Sequence, residues 1–159
     1  MKSKEPQNTI VEEIKKTTEE LLTKLQTKTT VEVIEEEAEG EINYKVNIQT
    51  LETGLLIGYH GETLNSLQLL LGVIIYKKIK KWVHIIVDIG NYRKMREESI
   101  KEMVNRIVGE VEVSQKPVTL PYLSPLERRI VHMMLADHKT VASESTGEGK
   151  DRLLSIRPR

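Results

Sequence analysis

Two short clusters in this 159-residue chain combine backbone and side chains that suit a phosphate. The first is Ile57-Gly58-Tyr59-His60-Gly61, set just ahead of an apolar stretch. Paired glycines let the main chain turn sharply and leave no side chain between it and an approaching polyanion. If a helix follows, its N–H groups and positive dipole end face the same point. The second cluster is Arg128 and His132, four residues apart after Ser124-Pro125, with Arg129 between them. That spacing places two side chains on neighbouring turns of one helix. A guanidinium can take two phosphate oxygens, and an imidazole can add a third contact. Either cluster alone also reads as an ordinary turn or a charged helix surface, so the flanks decide.

Little in the chain competes with binding. There is no cysteine, which removes thiolate metal sites, disulfides and cysteine nucleophiles and fits a reducing compartment. None of His60, His84, His132 and His138 forms a metal pair with another histidine at helical spacing. Gly147-Glu148-Gly149-Lys150-Asp151 lacks the spacing of a phosphate-binding P-loop, and no serine sits in a nucleophile elbow. Arg128 and His132 could in principle cleave a phosphodiester, but no paired carboxylates or metal ligands stand near them in sequence. The expectation is a binding protein with no catalytic residue, metal or cofactor.

The formal net charge is +0, and it is unevenly spread. Residues 1–50 hold 7 Lys/Arg against 11 Asp/Glu, net −4, and residues 51–159 hold 17 against 13, net +4. The basic residues gather at Lys77-Lys78-Ile79-Lys80-Lys81, at Arg93 and Arg96, at Arg128-Arg129, and at Arg152, Arg157 and Arg159. Such a split suggests a polyanion-facing part with an acidic flank. The lysine run reads either as a phosphate-tracking rim or as charge complementing a helix C-terminus. Arg93 and Arg96, at the junction of the two halves, are candidates to bridge two binding surfaces. The start lacks the apolar core of a signal peptide, and no apolar run approaches the ~20 residues that span a bilayer. A cytoplasmic chain is expected.

Elements that would position these clusters follow from periodicity. Residues 1–7 read as a frayed start, and Thr9-x-x-Glu12 as a capping box opening a helix. A strand over 29–37, a Glu39-Gly40 turn and a strand carrying Ile42, Tyr44, Val46 and Ile48 come next. A short helical turn over 53–57, the glycine loop, a helix over 62–78 and a strand from Trp82 to Ile89 complete the first half. After the Gly90-Asn91 break, a long helix runs from Tyr92 to about Val111. A short strand at 118–120, a helix opened by Ser124-Pro125-x-Glu127, and two strands around Gly147-Glu148-Gly149 follow. On that helix Leu126, Ile130, Met133 and Met134 form the apolar face, which turns Arg128 and His132 to solvent. His84 reads as structural, and His138 as a helix-end cap.

The order helix, strand, strand, helix, glycine loop, helix, strand resembles a type II KH domain, whose Gly-x-x-Gly loop clamps about four nucleotides. Lys116-Pro117-Val118-Thr119-Leu120, Ser124-Pro125-x-Glu127-Arg128-Arg129-Ile130-Val131-His132 and Val141-x-Ser143-x-Ser145-x-Gly147-x-Gly149-x-x-Arg152 resemble the R-3-H domain, which binds single-stranded nucleic acid. A KH domain followed by an R-3-H domain resembles the Jag family, the SpoIIIJ-associated RNA-binding proteins of bacteria. The resemblance implies an α+β fold, with a type II KH domain (αββααβ) over 8–90. Over 91–159 it implies a small R-3-H domain with a short mixed or antiparallel sheet, including the connecting helix. It further implies a cytoplasmic single-stranded RNA binder (with single-stranded DNA as a second ligand) linked to envelope growth and division. A small single-KH protein or a second copy would be its protein partner. Gly58 and Gly61 carry over as the KH loop, Arg128 and His132 as the R-3-H pair, and Ser145, Gly147 and Arg152 as the lining of the neighbouring hairpin. The family's loop usually has basic residues between its glycines, where this chain has Tyr59, which could stack on a base, and His60. Many members also carry a further domain ahead of the KH unit, which this sequence does not include. The other reading is a protein–protein adaptor acting through the acidic first part.

Overall fold

A computed structural model describes residues 7–38 and 40–159. Of the start expected to fray, residues 1–6 lie outside the described residues, as does Glu39 of the expected turn; Gln7 is already helical. The chain divides into two compact units, one ending at Arg93 and the other running from Lys94 to Arg159.

The first unit has the order α1 (Gln7–Lys24), β1 (Thr29–Ala38), β2 (Glu41–Thr50), α2 (Thr53–Ile57), a single 3-10 turn over Tyr59–Gly61, α3 (Glu62–Ile79) and β3 (His84–Ile89). This is the expected αββααβ order. Thr9 is not a cap, because α1 begins two residues before it. The sheet order is β1-β2-β3, with β1 and β2 antiparallel and β2 and β3 parallel. The alternation in β2 is realised with Tyr44, Val46 and Ile48 buried. With no Phe in the chain, the core rests on aliphatic side chains: Ile14 and Leu22 of α1, Leu64, Leu67, Leu71 and Ile75 of α3, and Ile85, Val87 and Ile89 of β3. Each such side chain contributes about 1.5–3 kcal/mol on burial, so α1 and α3 are held chiefly by this packing.

Lys78, one of the expected phosphate-tracking lysines, instead ties α3 to α1. Its Nζ lies 2.8 Å from a Glu13 oxygen and 3.6 Å from Glu20, and donates to Thr17 Oγ1 at 2.8 Å. The Lys78 hydrogen bond holds the Glu13 carboxyl below its ordinary value, against a smaller effect of burial, and Glu13 raises Lys78 in turn. A lowered carboxyl gives stability that is present above the ordinary carboxylate range and lost as pH falls through the folded-state value. A Lys78→Met variant should therefore be less stable than wild type near neutrality, by at most about 1 kcal/mol because the pair is partly exposed. The gap in thermal midpoint should close as the pH is taken below about 4. A gap that is constant with pH would mean that the lysine acts by packing alone.

The second unit comprises most of α4 (Tyr92–Ser114), β4 (Val118–Thr119), α5 (Pro125–Leu135), β5 (Val141–Thr146) and β6 (Leu153–Pro158). Its sheet has the order β4-β6-β5 and is antiparallel throughout. Ile100, Val104, Ile107 and Val111 of α4 pack with Leu120, Leu123, Val131, Leu135, Val141, Leu154 and Ile156. α5 starts as expected: Ser124 Oγ accepts from the Glu127 N–H at 3.3 Å, and Glu127 Oε2 accepts from the Ser124 N–H at 2.7 Å. Among the described residues, no helix is long and apolar enough to cross a membrane.

Candidate nucleic-acid interface

Five of the expected site residues converge in the second unit. Pro125, Arg128, Arg129, His132, Met133, Ala136, Ser145 and Arg152 line a groove of about 400 Å³. Its lining holds three arginines and a histidine and no carboxylate. Such a surface attracts a phosphate by charge and can hold it by paired N–H donors.

The route by which α5 delivers these groups differs from the expected one. Leu126 and Met133, assigned to the core, are 63% and 69% exposed, while Glu127, Arg128, Val131 and Leu135 are buried. Arg128 does not project freely into solvent. One of its guanidinium nitrogens donates to the Leu123 carbonyl at 2.8 Å and lies 3.5 Å from the Arg152 carbonyl. A guanidinium anchored on main-chain oxygens keeps its orientation at the groove without the rotamer entropy of a free side chain. Glu127 is buried because both its oxygens are used: Oε2 in the cap, and Oε1 accepting from Arg96 Nε at 2.7 Å.

His132 is likewise held from below. Its Nδ1 lies 2.7 Å from Ser143 Oγ and its Nε2 3.0 Å from Ser145 Oγ. Strand alternation puts Ser143 and Ser145 on the same face of β5, towards α5. Ser143 was not among the expected site residues. The period-2 pair Ser143-x-Ser145 opposite a lone histidine was the available signal. Gly147 shapes the hairpin and does not line the groove: its φ is +86°, and a Cβ there would lie 2.9 Å from the Asp151 carbonyl oxygen.

The glycine loop lies in the first unit and has a tightly determined backbone. Gly58 has φ +70° and ψ −169°, and Gly61 has φ +83°. A Cβ on Gly61 would stand 3.0 Å from Tyr92 Cε1. Ile57 is half-buried against the core, Tyr59 is 65% exposed, and the Tyr59 and His60 rings meet edge to face with centroids 4.1 Å apart. An exposed aromatic ring beside a helix start is an arrangement on which a base can stack.

The junction arginines have other partners than those expected. Arg93 Nε donates to the Val87 carbonyl at 2.9 Å, and its Nη2 contacts Gln68 and Asn65, all within the first unit. Arg96 pairs with Glu127 in the second. By these bonds Arg93 is tied into the first unit and Arg96 into the second. His84 pairs with Asn43, its neighbour across the β2–β3 ladder. The His138 backbone N–H bonds to the Leu135 carbonyl at 3.2 Å, at the end of α5.

Comparison with known proteins matches both halves. A model of the KhpA/KhpB KH domain covers residues 15–87, and a model of the R-3-H domain covers residues 98–158. The chain is 36% identical over 112 residues to the RNA-binding protein KhpB of Clostridium symbiosum, covering 70% of this chain and 50% of that protein. It is 32% identical over 111 residues to KhpB of Lactiplantibacillus plantarum, covering 70% and 34%. It is 29% identical over 128 residues to KhpB of Bacillus subtilis, covering 79% and 60%. The chain thus spans between 34% and 60% of the length of these relatives.

Proposed function

The chain belongs to the KhpB/Jag family, and from that premise we propose that it binds single-stranded RNA through two separate sites, with no chemical step. The observation that carries this is the groove lined by Arg128, Arg129, Arg152 and His132 and free of lining carboxylates. The Gly58–Gly61 loop with Tyr59 and His60 is the second contact, and 8–90 and 91–159 are the working domain boundaries. Each site alone is small. Two on one chain raise each other's effective concentration, so modest contacts add up to useful affinity. Single-stranded DNA is the competing ligand, because phosphate contacts do not distinguish the sugars; the 2′-OH does. The cellular reading is a cytoplasmic post-transcriptional regulator or RNA chaperone tied to envelope growth and division, with a small single-KH protein or a second copy as protein partner. Family membership supports it.

Binding of a labelled single-stranded RNA, followed by fluorescence anisotropy, tests this directly. Affinity is expected to fall steeply with salt, with log K declining by about 0.7 per phosphate contacted for each decade of salt. Intact RNA should be recovered after long incubation with a divalent metal. No binding even at low salt would overturn the proposal, and cleaved products would replace it with a nuclease.

A further inference from the structure

His132 has both ring nitrogens already engaged. Nδ1 lies 2.7 Å from Ser143 Oγ and Nε2 lies 3.0 Å from Ser145 Oγ. The two serines stand on one face of β5, so the ring edge that carries both nitrogens is turned to the strand. A phosphate in the groove therefore finds neither nitrogen free, and reaching one would break a hydrogen bond inside the protein. Ser145 lines the groove with Arg128, Arg129 and Arg152, and Ser143 does not. The group that can meet a phosphate here without breaking anything is the Ser145 hydroxyl, provided its hydrogen is not spent on the histidine.

The protonation of His132 decides where that hydrogen goes. A neutral imidazole donates from one nitrogen and accepts at the other. With the proton on Nδ1, Ser143 accepts, and Ser145 must donate to Nε2 and has no hydrogen left for an anion. With the proton on Nε2, Ser143 donates to Nδ1, Ser145 accepts, and the Ser145 hydrogen is free for the groove. In the imidazolium both nitrogens donate, and both hydroxyl hydrogens are free. A hydroxyl that accepts from an N–H is also polarised into a better donor. The charged groups that share the groove with the ring are Arg128 and Arg129 of α5 and Arg152 just before β6, with no carboxylate among them. Glu144, between the serines on β5, turns to the opposite face and binds Arg157. A bound phosphate brings negative charge to a ring set among guanidiniums, so RNA binding and protonation of His132 favour each other.

We propose that Ser145 is the phosphate donor on this wall of the groove, and that His132 is a positioning residue that aims the Ser145 hydrogen and touches no RNA itself. The assignment rests on the reading of the groove as an RNA site. It adds to that reading the atom that makes the contact and a dependence on pH.

Anisotropy with a labelled oligouridylate tests this between about pH 8 and about pH 5, the range in which histidines change charge and uracil does not. Wild type is expected to bind about fivefold or more tightly at the acid end. His132→Gln gives the profile that His60, His84 and His138 produce without the ring. Ser145→Ala should fall onto that flatter profile and lose about tenfold in affinity at the acid end. Ser145→Thr, which keeps the hydroxyl, should recover both affinity and slope. Ser143→Ala breaks the shorter of the two bonds to the same ring, yet should keep the slope, because Nε2 still serves Ser145. Circular dichroism checks that each variant is folded. A folded Ser145→Ala protein with the wild-type slope would show that the ring meets the phosphate itself. Equal losses from the two serine variants would reduce both to braces of the ring. A wild-type profile no steeper than that of His132→Gln would remove the coupling. Each of these overturns the assignment while RNA binding stands. A wild-type chain that binds no RNA at low salt overturns the RNA reading and this assignment with it.

Discussion

Arg128→Ala is expected to lower the unfolding free energy by about 1–3 kcal/mol and to weaken RNA binding on the order of 10- to 100-fold. The two losses have separate causes. The first comes from the Leu123 carbonyl, which accepts from the guanidinium at 2.8 Å and is left without that donor in a buried site. The second comes from the groove, which loses its one cation fixed in place by the main chain. Exposed neighbours separate the effects. Arg129→Ala and Arg152→Ala should leave the denaturation midpoint unchanged, weaken binding several-fold, and reduce the salt slope by about one each. Arg128→Lys keeps the charge but not the planar fork that can serve a carbonyl and a phosphate together, so its affinity should lie between wild type and alanine. Chemical denaturation and anisotropy on the same preparations give both readings. A folded Arg128→Ala protein that binds like wild type would remove this residue from the interface.

The same arginine shows what hydrophobic periodicity could and could not reveal. The first unit was legible because its signals agree: β2 alternates, α3 repeats leucine and isoleucine at helical spacing, and each buries most of the side that pattern names, Ile42 at the start of β2 being exposed. The start of α5 was legible for a local reason, since Ser124, Pro125 and Glu127 cap a helix through their own backbone. Its orientation was not. Periodicity pointed to Leu126, Ile130, Met133 and Met134, and the helix is turned by roughly 120° from that at 100° per residue. The side it buries carries Glu127 and Arg128, groups a hydropathy pattern counts as surface. They can lie inside because Arg96, the Ser124 N–H and the Leu123 carbonyl satisfy them. Arg96 lies far away in sequence, so only the tertiary fold supplies that partner. The convergence of Arg128, His132, Ser145 and Arg152 was legible through resemblance and motif order. The role of Ser143 needed the strand opposite the helix. The tie made by Lys78 was illegible for a related reason, because Glu13 and Glu20, which hold it, come from an earlier helix.

Gly58→Ala should lower stability by about 3 kcal/mol, through backbone and contact together. A residue at φ +70° and ψ −169° sits in a region essentially reserved for glycine, and forcing a side chain there costs on the order of 1–3 kcal/mol. The new Cβ would also stand 2.0 Å from Thr63 Oγ1, 2.7 Å from Thr63 Cβ and 3.0 Å from the Thr63 nitrogen. Rotating the threonine relieves only the first of these. Gly149→Ala is the comparison: φ is +56° with no atom within 4 Å of the added carbon, so about 1 kcal/mol is expected. In urea denaturation, Gly58→Ala/Thr63→Gly should recover the contact part of the loss and leave the backbone part, read as a coupling in a double-mutant cycle. A loss below about 0.5 kcal/mol for Gly58→Ala would show that the fold tolerates a side chain here and that the glycine serves ligand approach alone. The expected larger loss has a consequence for the interface. Reduced RNA binding by Gly58 variants would report a broken turn as readily as a lost contact. The exposed Tyr59, changed to alanine with the turn intact, is therefore the residue whose loss of affinity would place RNA on this loop.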